Sequence, residues 1–198
     1  MISSILRTTF IGALAVAMPA FADPALSLVP STQNVSVGNS FSVDLRIDGL
    51  GDGVAPSVGT YDLNVSFDSM LVSFDTATYG TGLDVWGLGS LQATTPGSGS
   101  VNLFELSFDT PEDLNLYQPA GFKLATLTFQ ALSGGTSPLS LSLNAFGDAD
   151  GVSLPATLQN SSVTVTAVPE PETYVMMLAG LAVLSAVARR RSSRLALS

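Results

Sequence analysis

The chain has no cysteine and no histidine among its 198 residues, and just seven Lys and Arg. Without Cys there are no disulfides, no thiol nucleophile and no lipid-carrying Cys anchor. Without His there is no imidazole acid–base chemistry, and the lack of both removes Cys/His zinc sites. Any chemistry has to run on carboxylates and hydroxyls. Basic residues are concentrated at the ends: Arg7 lies near the start, and Arg189, Arg190, Arg191 and Arg194 near the finish, so the long middle holds Arg46 and Lys123. Residues 23–167 combine two basic with fourteen acidic residues, a formal net charge of −12. Such a surface repels phosphate backbones, which are bound by clustered Lys and Arg, so nucleic acid is excluded as an expected partner. A composition of 46% hydrophobic and 12% charged residues is that of a folded chain, and its length suits one domain with accessory segments.

Both ends read as addresses. Residues 1–22 have the layout of a secretory signal peptide: Arg7 in the n-region, an apolar stretch over 10–18, and Ala20 and Ala22 as the small residues of a cleavage site before Asp23. At the other end Pro169, Glu170 and Pro171 precede fifteen residues without a charge, 174–188, and then Arg189, Arg190 and Arg191. A helix of that length spans about 22 Å against a hydrocarbon core of roughly 30 Å, and snorkelling arginines extend its reach, so a single transmembrane helix is expected over 174–188. The arginine run places 189–198 as a cytoplasmic basic tail and everything before Tyr174 outside. The two prolines fix φ on either side of Glu170 and remove two backbone donors, which keeps 168–173 extended and accessible to a processing enzyme. Leu154, Pro155, Ala156 and Thr157 mimic a Gram-positive sortase box, but Leu158 replaces the required glycine and the apolar helix is too far downstream.

This order of triplet, short apolar helix and arginine cluster resembles the PEP-CTERM sorting signal of Gram-negative bacteria that make exopolysaccharide. The resemblance implies recognition by an exosortase, an integral-membrane transpeptidase-like enzyme that releases or transfers the protein. The expected route is export through the inner membrane, transient anchoring by the C-terminal helix, and delivery to the cell surface or extracellular matrix.

Between the two ends the pattern has period two. Phe41, Val43, Leu45 and Ile47 alternate with polar residues, as do Tyr61, Leu63, Val65 and Phe67, and each set predicts a strand with one buried face. Further strands are expected at 26–29, 35–37, 71–74, 101–108, 125–131, 139–145 and 162–165. In 101–108 the apolar phase slips between Leu103 and Phe104, which predicts a bulge or a change of sheet. No convincing helical run is seen. The expected architecture for residues 23–167 is an all-β, antiparallel sandwich of about nine strands.

The runs SVGNSFSVDL from residue 36 and GTYDLNVSFDSMLVSF from residue 59, with LATLTFQA at 124–131, DADG at 148–151 and VTV at 163–165, resemble a cohesin domain. The resemblance implies a nine-stranded jelly roll, related in fold to a group of carbohydrate-binding modules, and a binding or scaffold role. Dockerins are the partners it suggests for a docking module.

Candidate chemistry is sparse. Asp148 and Asp150 begin a calcium-loop pattern that no downstream acid completes before Glu170, so a Ca²⁺ site competes with a plain polar turn; the loop of Asp48 and Asp52 is similar. Glu105, Asp109, Glu112 and Asp113 form the densest acidic patch, around a Pro-containing loop, and read as a solvated face rather than a glycosidase pair. Trp86, Tyr79 and Tyr117 lie in loop-like stretches and are the candidates for stacking on sugar rings, with core packing as the competing reading for Trp86. The expected protein is a non-enzymatic surface or matrix module, without a resident cofactor, that adheres to extracellular polysaccharide. The alternative is cohesin-type docking of a surface protein.

Overall fold

The computed structural model describes residues 23–167 and 175–185. The strands are β1 (Ala25–Pro30), β2 (Asn34–Ser36), β3 (Ser40–Asp48), β4 (Val58–Ser66), β5 (Val72–Tyr79), β6 (Ser90–Gly97), β7 (Ser100–Ser107), β8 (Gly121–Ala131), β9 (Gly135–Asp148), β10 (Thr157–Gln159) and β11 (Ser161–Thr166). One helix, α1 (Pro111–Tyr117), joins β7 to β8. The strands form two sheets, ordered β10-β1-β3-β8-β5 and β2-β11-β9-β4-β7-β6.

The expected alternation explains the core. Phe41, Val43, Leu45 and Ile47 of β3 and Tyr61, Leu63 and Val65 of β4 point between the sheets, where they meet Leu103 of β7, Leu127 and Phe129 of β8 and Leu139 of β9. Phe129 packs in contact with Phe41, Phe67 and Phe74, with ring centroids 5.2–5.8 Å apart. Burying side chains of this size supplies the main stabilisation of a domain without disulfides.

Among the described residues eleven strands replace the nine expected, and the two additions are β6 and β10. Strand β6 carries no apolar alternation because it is a sheet edge with both faces largely wet, and Pro96 is tolerated there because an edge strand need not donate outward. Strand β10 is three exposed residues held parallel to β1. The sandwich is also not purely antiparallel: β1 pairs with β10 and β2 with β11 in parallel. The first stretch of chain breaks after Pro30 and the last breaks at Asn160, and each crosses from one sheet to the other, so the two segments travel side by side.

The phase slip expected in β7 is absent, since its register with β4 and β6 runs unbroken. Val101, Leu103 and then Glu105 occupy the inward face; a carboxylate, not a bulge, interrupts the apolar pattern. The bulges lie elsewhere, in the pairings of β8 with β3 and β5 and of β4 with β9. Helix α1 corrects the expectation of no helical run and of a loop around Pro111; it is too short to show a period and is started by its cap, where the Thr110 hydroxyl accepts from the Asp113 amide at 3.2 Å and Pro111 opens the helix.

The ends of β3, β5, β7 and β9 and the starts of β4 and β8 meet at one end of the sandwich. This end is crowned by α1 and the loop 80–89. Residues 175–185 are helical and exposed throughout, and no helix among the described residues is long and apolar enough to cross a membrane. Residue 174 and residues 186–188 of the expected span lie outside the described residues, as do the signal segment with Ala20 and Ala22, the triplet Pro169, Glu170 and Pro171, and Arg189, Arg190 and Arg191.

Candidate functional site

Two surfaces stand out. The first is the outer face of the six-stranded sheet. Because Tyr61, Leu63 and Val65 point inward, Asp62 and Asn64 of β4 point outward, and the sheet register brings Asn102 of β7 and Asn144 of β9 beside them. Asp62 Oδ1 accepts from Asn102 Nδ2 at 2.6 Å and from Asn144 Nδ2 at 2.9 Å, and Asn64 bonds to both asparagines at 3.2 Å. Asn144 reaches the cluster because it sits in the β4/β9 irregularity, between Leu143 and Ala145. Leu91 of β6 and Leu106 of β7, cross-strand partners near this cluster, are exposed, as is Phe108 beyond β7.

The second surface is the crowned end. Trp86 and Tyr117 stack on each other with ring centroids 5.2 Å apart and an interplanar angle of 25°, yet they remain 57% and 49% exposed. The core-packing reading of Trp86 is therefore corrected. Its neighbour Leu83 goes into the core and anchors the loop, while Trp86 stands out of it. The loop is tied down by carboxylates. Asp109 Oδ2 accepts the Trp86 amide at 3.0 Å and Oδ1 the Leu88 amide at 3.4 Å, and Asp84 Oδ1 accepts the Gly89 amide at 2.8 Å. The Ser107 hydroxyl donates to the Leu83 carbonyl at 2.6 Å, and the buried Gln118 amide donates to the carbonyls of Val58 and Gly82. Beside the aromatic pair lies an open cleft of about 490 Å³, walled by Thr81, Asp84, Tyr117, Pro119, Phe122 and Lys123.

Other sequence-predicted residues fall differently. Tyr79 is not in a loop: it ends β5, and its hydroxyl donates to the Ala93 carbonyl at 2.5 Å with Thr94 Oγ1 at 3.0 Å, joining the edges of the two sheets. Burial raises its pKa above the usual phenol value. The acidic patch is not a solvated face at Glu105 and Asp109, which are 1% and 7% exposed. Glu105 accepts from the Tyr61 hydroxyl at 2.9 Å, Ser90 Oγ at 2.6 Å and Gln92 Nε2 at 2.9 Å, so the carboxylate is satisfied by donors from the two neighbouring strands, β4 and β6. Burial and then the adjacent carboxylate push the Tyr61 pKa far up. Glu112 and Asp113 are in the first turn of α1, where acids suit the helix N-terminus, not in an irregular loop. Asp148 Oδ1 accepts the amides of Asp150 and Val152 at 3.0 and 2.7 Å, which closes its own turn.

The surface cluster of Asp62, Asn64, Asn102 and Asn144, and the supporting roles of Asp84 and Gln118, escaped the sequence reading. Outward polar residues on alternating strands look like any wet sheet face until the register joins them.

Residues 167–192 match the PEP-CTERM protein-sorting motif, which marks the chain for export to the cell surface or beyond. The described sandwich has the cohesin fold. It is similar to a non-cellulosomal cohesin from the hyperthermophilic archaeon Archaeoglobus fulgidus, with 16% identity over 78% of this chain and 98% of that one and a TM-score of 0.56. The cohesin OlpC of Clostridium thermocellum, solved in a type I cohesin–dockerin complex, gives 14% identity over 77% and 99% and a TM-score of 0.59. A cohesin module from a family 33 glycoside hydrolase of Clostridium perfringens gives 15% identity over 74% and 97% and a TM-score of 0.53. No curated protein matches the chain in sequence.

Proposed function

We propose that this protein is an exported, non-catalytic binding module, processed by an exosortase at its C-terminal motif and displayed at the cell surface or in the extracellular matrix. There the outer face of its six-stranded sheet docks a partner protein. The observation that carries the reading is the cluster of Asp62, Asn64, Asn102 and Asn144, hydrogen-bonded across three strands and bordered by exposed Leu91 and Leu106. Polar groups already held in place, next to apolar area on a rigid sheet, pay little ordering cost on association. The cohesin–dockerin complexes among the fold relatives support docking as the mode. The non-catalytic reading is supported by the engagement of Glu105 and Asp109 with donors of their own fold.

The test is retention of extracellular proteins from the native host by the immobilised full chain and by its Asp62→Arg variant. A protein bound at one-to-one stoichiometry by the first and lost with the second is the expected result. Equal retention by both, or none by either, overturns the docking face. Association with extracellular polysaccharide is a second reading, favoured by the exposed Trp86–Tyr117 pair.

A further inference from the structure

Folding leaves Trp86 and Tyr117 in solvent, stacked on each other, on a loop held by the buried Asp109 and on the last turn of α1. Each ring spends one face on its neighbour, and the exposure that remains belongs to the outer faces and edges. Large aromatic area kept open on a rigid support marks a recognition surface rather than a packing accident. Tyr117 also lines the cleft, so the aromatic pair and the cleft share a residue.

The cleft is amphipathic. Tyr117 and Phe122 are the aromatic residues of its wall, whereas Thr81, Asp84 and Lys123 are the polar ones: a hydroxyl, a carboxylate with one oxygen on the Gly89 amide, and an ammonium shared with Asp44. A pyranose has the matching character: a face of C–H groups that packs on an aromatic ring, and a rim of hydroxyls that donate to carboxylates and accept from ammonium and hydroxyl groups. At about 490 Å³ the space is within the usual range for small-ligand sites. The electrostatics select further. Asp84 offsets Lys123 inside the cleft, Lys123 is already 3.4 Å from Asp44, and residues 23–167 carry a formal charge of −12. A polyanion such as a uronic-acid chain is repelled.

We infer that the cleft beside Tyr117 and Trp86 is a binding site for a sugar unit of a neutral polysaccharide, with Tyr117 as the stacking ring and Thr81, Asp84 and Lys123 as the hydroxyl-reading groups. The inference gives the polysaccharide-association reading a location separate from the sheet face. The geometry is preorganised: Gln118 and Ser107 hold the carbonyls of Gly82 and Leu83, so the wall does not have to form around the sugar.

The experiment titrates the full chain with neutral glucan, mannan and galactan oligosaccharides, with polygalacturonate as the anionic probe. Calorimetry is the readout, together with the fluorescence of Trp86, the single tryptophan of the chain. Saturable binding of at least one neutral oligosaccharide is expected, weakened about tenfold or more in Tyr117→Ala and retained in Tyr117→Phe, since losing a stacking surface costs on the order of 1.4 kcal/mol. Asp62→Arg should bind the sugar unchanged, which separates this site from the docking face. Absence of binding by every neutral probe, equal affinity in Tyr117→Ala, or preference for polygalacturonate overturns the inference.

Discussion

Glu105 shows what a single residue can hide. In the sequence it is one acid among several on an acidic chain; in the fold it is a buried carboxylate in line with Val101 and Leu103, accepting from Tyr61, Ser90 and Gln92. Its donors come from β4 and β6, on either side of β7, so the cluster stitches the edge strand to the centre of the sheet. Tyr61→Phe removes one donor from a buried charge and should cost about 1–2 kcal/mol at neutral pH, measured by denaturant unfolding. It should also change the alkaline limb. Folded Tyr61 keeps its proton well above the ordinary phenol pKa, while unfolded Tyr61 releases it above about pH 10. The unfolded state then binds fewer protons, so wild-type stability falls as pH rises past that point, and Tyr61→Phe should flatten part of the fall. An unchanged alkaline slope would contradict the burial of Tyr61 beside the Glu105 carboxylate.

At the scale of elements, the strands that were legible are those with one wet face and one dry face. Strands β3 and β4 announce themselves by alternation, whereas β6, wet on both sides, and β10, three residues long, have no apolar period to read. Helix α1 is short and buries only Leu114 of its own turns, so its signal lay in the cap and not in periodicity. The crowned end depends on close backbone approach where β5 leaves the sheet. A Cβ at Gly80 would lie 2.0 Å from the Lys123 carbonyl oxygen, and backbone cannot rotate away as a side chain can. Gly80→Ala should therefore destabilise the domain by about 1–3 kcal/mol in thermal or denaturant unfolding. A variant as stable as the parent would mean that β5 and β8 part more easily here than their pairing indicates.

For the whole molecule, the sorting motif at 167–192 follows directly on the last strand, so processing there would separate the complete sandwich from the C-terminal helix and arginines. Deleting residues 169–171 should strand the protein in the membrane fraction of its native host; undiminished delivery to the surface would show that the triplet is not the signal. Much of this was determined by sequence alone, because it rests on local or periodic properties: polarity alternating every second residue, a charge total, and the order of triplet, apolar run and arginines. The number of strands, the parallel pairs at the sheet crossings, the burial of Glu105 and the two candidate surfaces were decided only by tertiary structure. Asp62 and Asn144 are distant in the chain, as are Trp86 and Tyr117, and each pair exists only after strand register and loop closure bring the partners into contact.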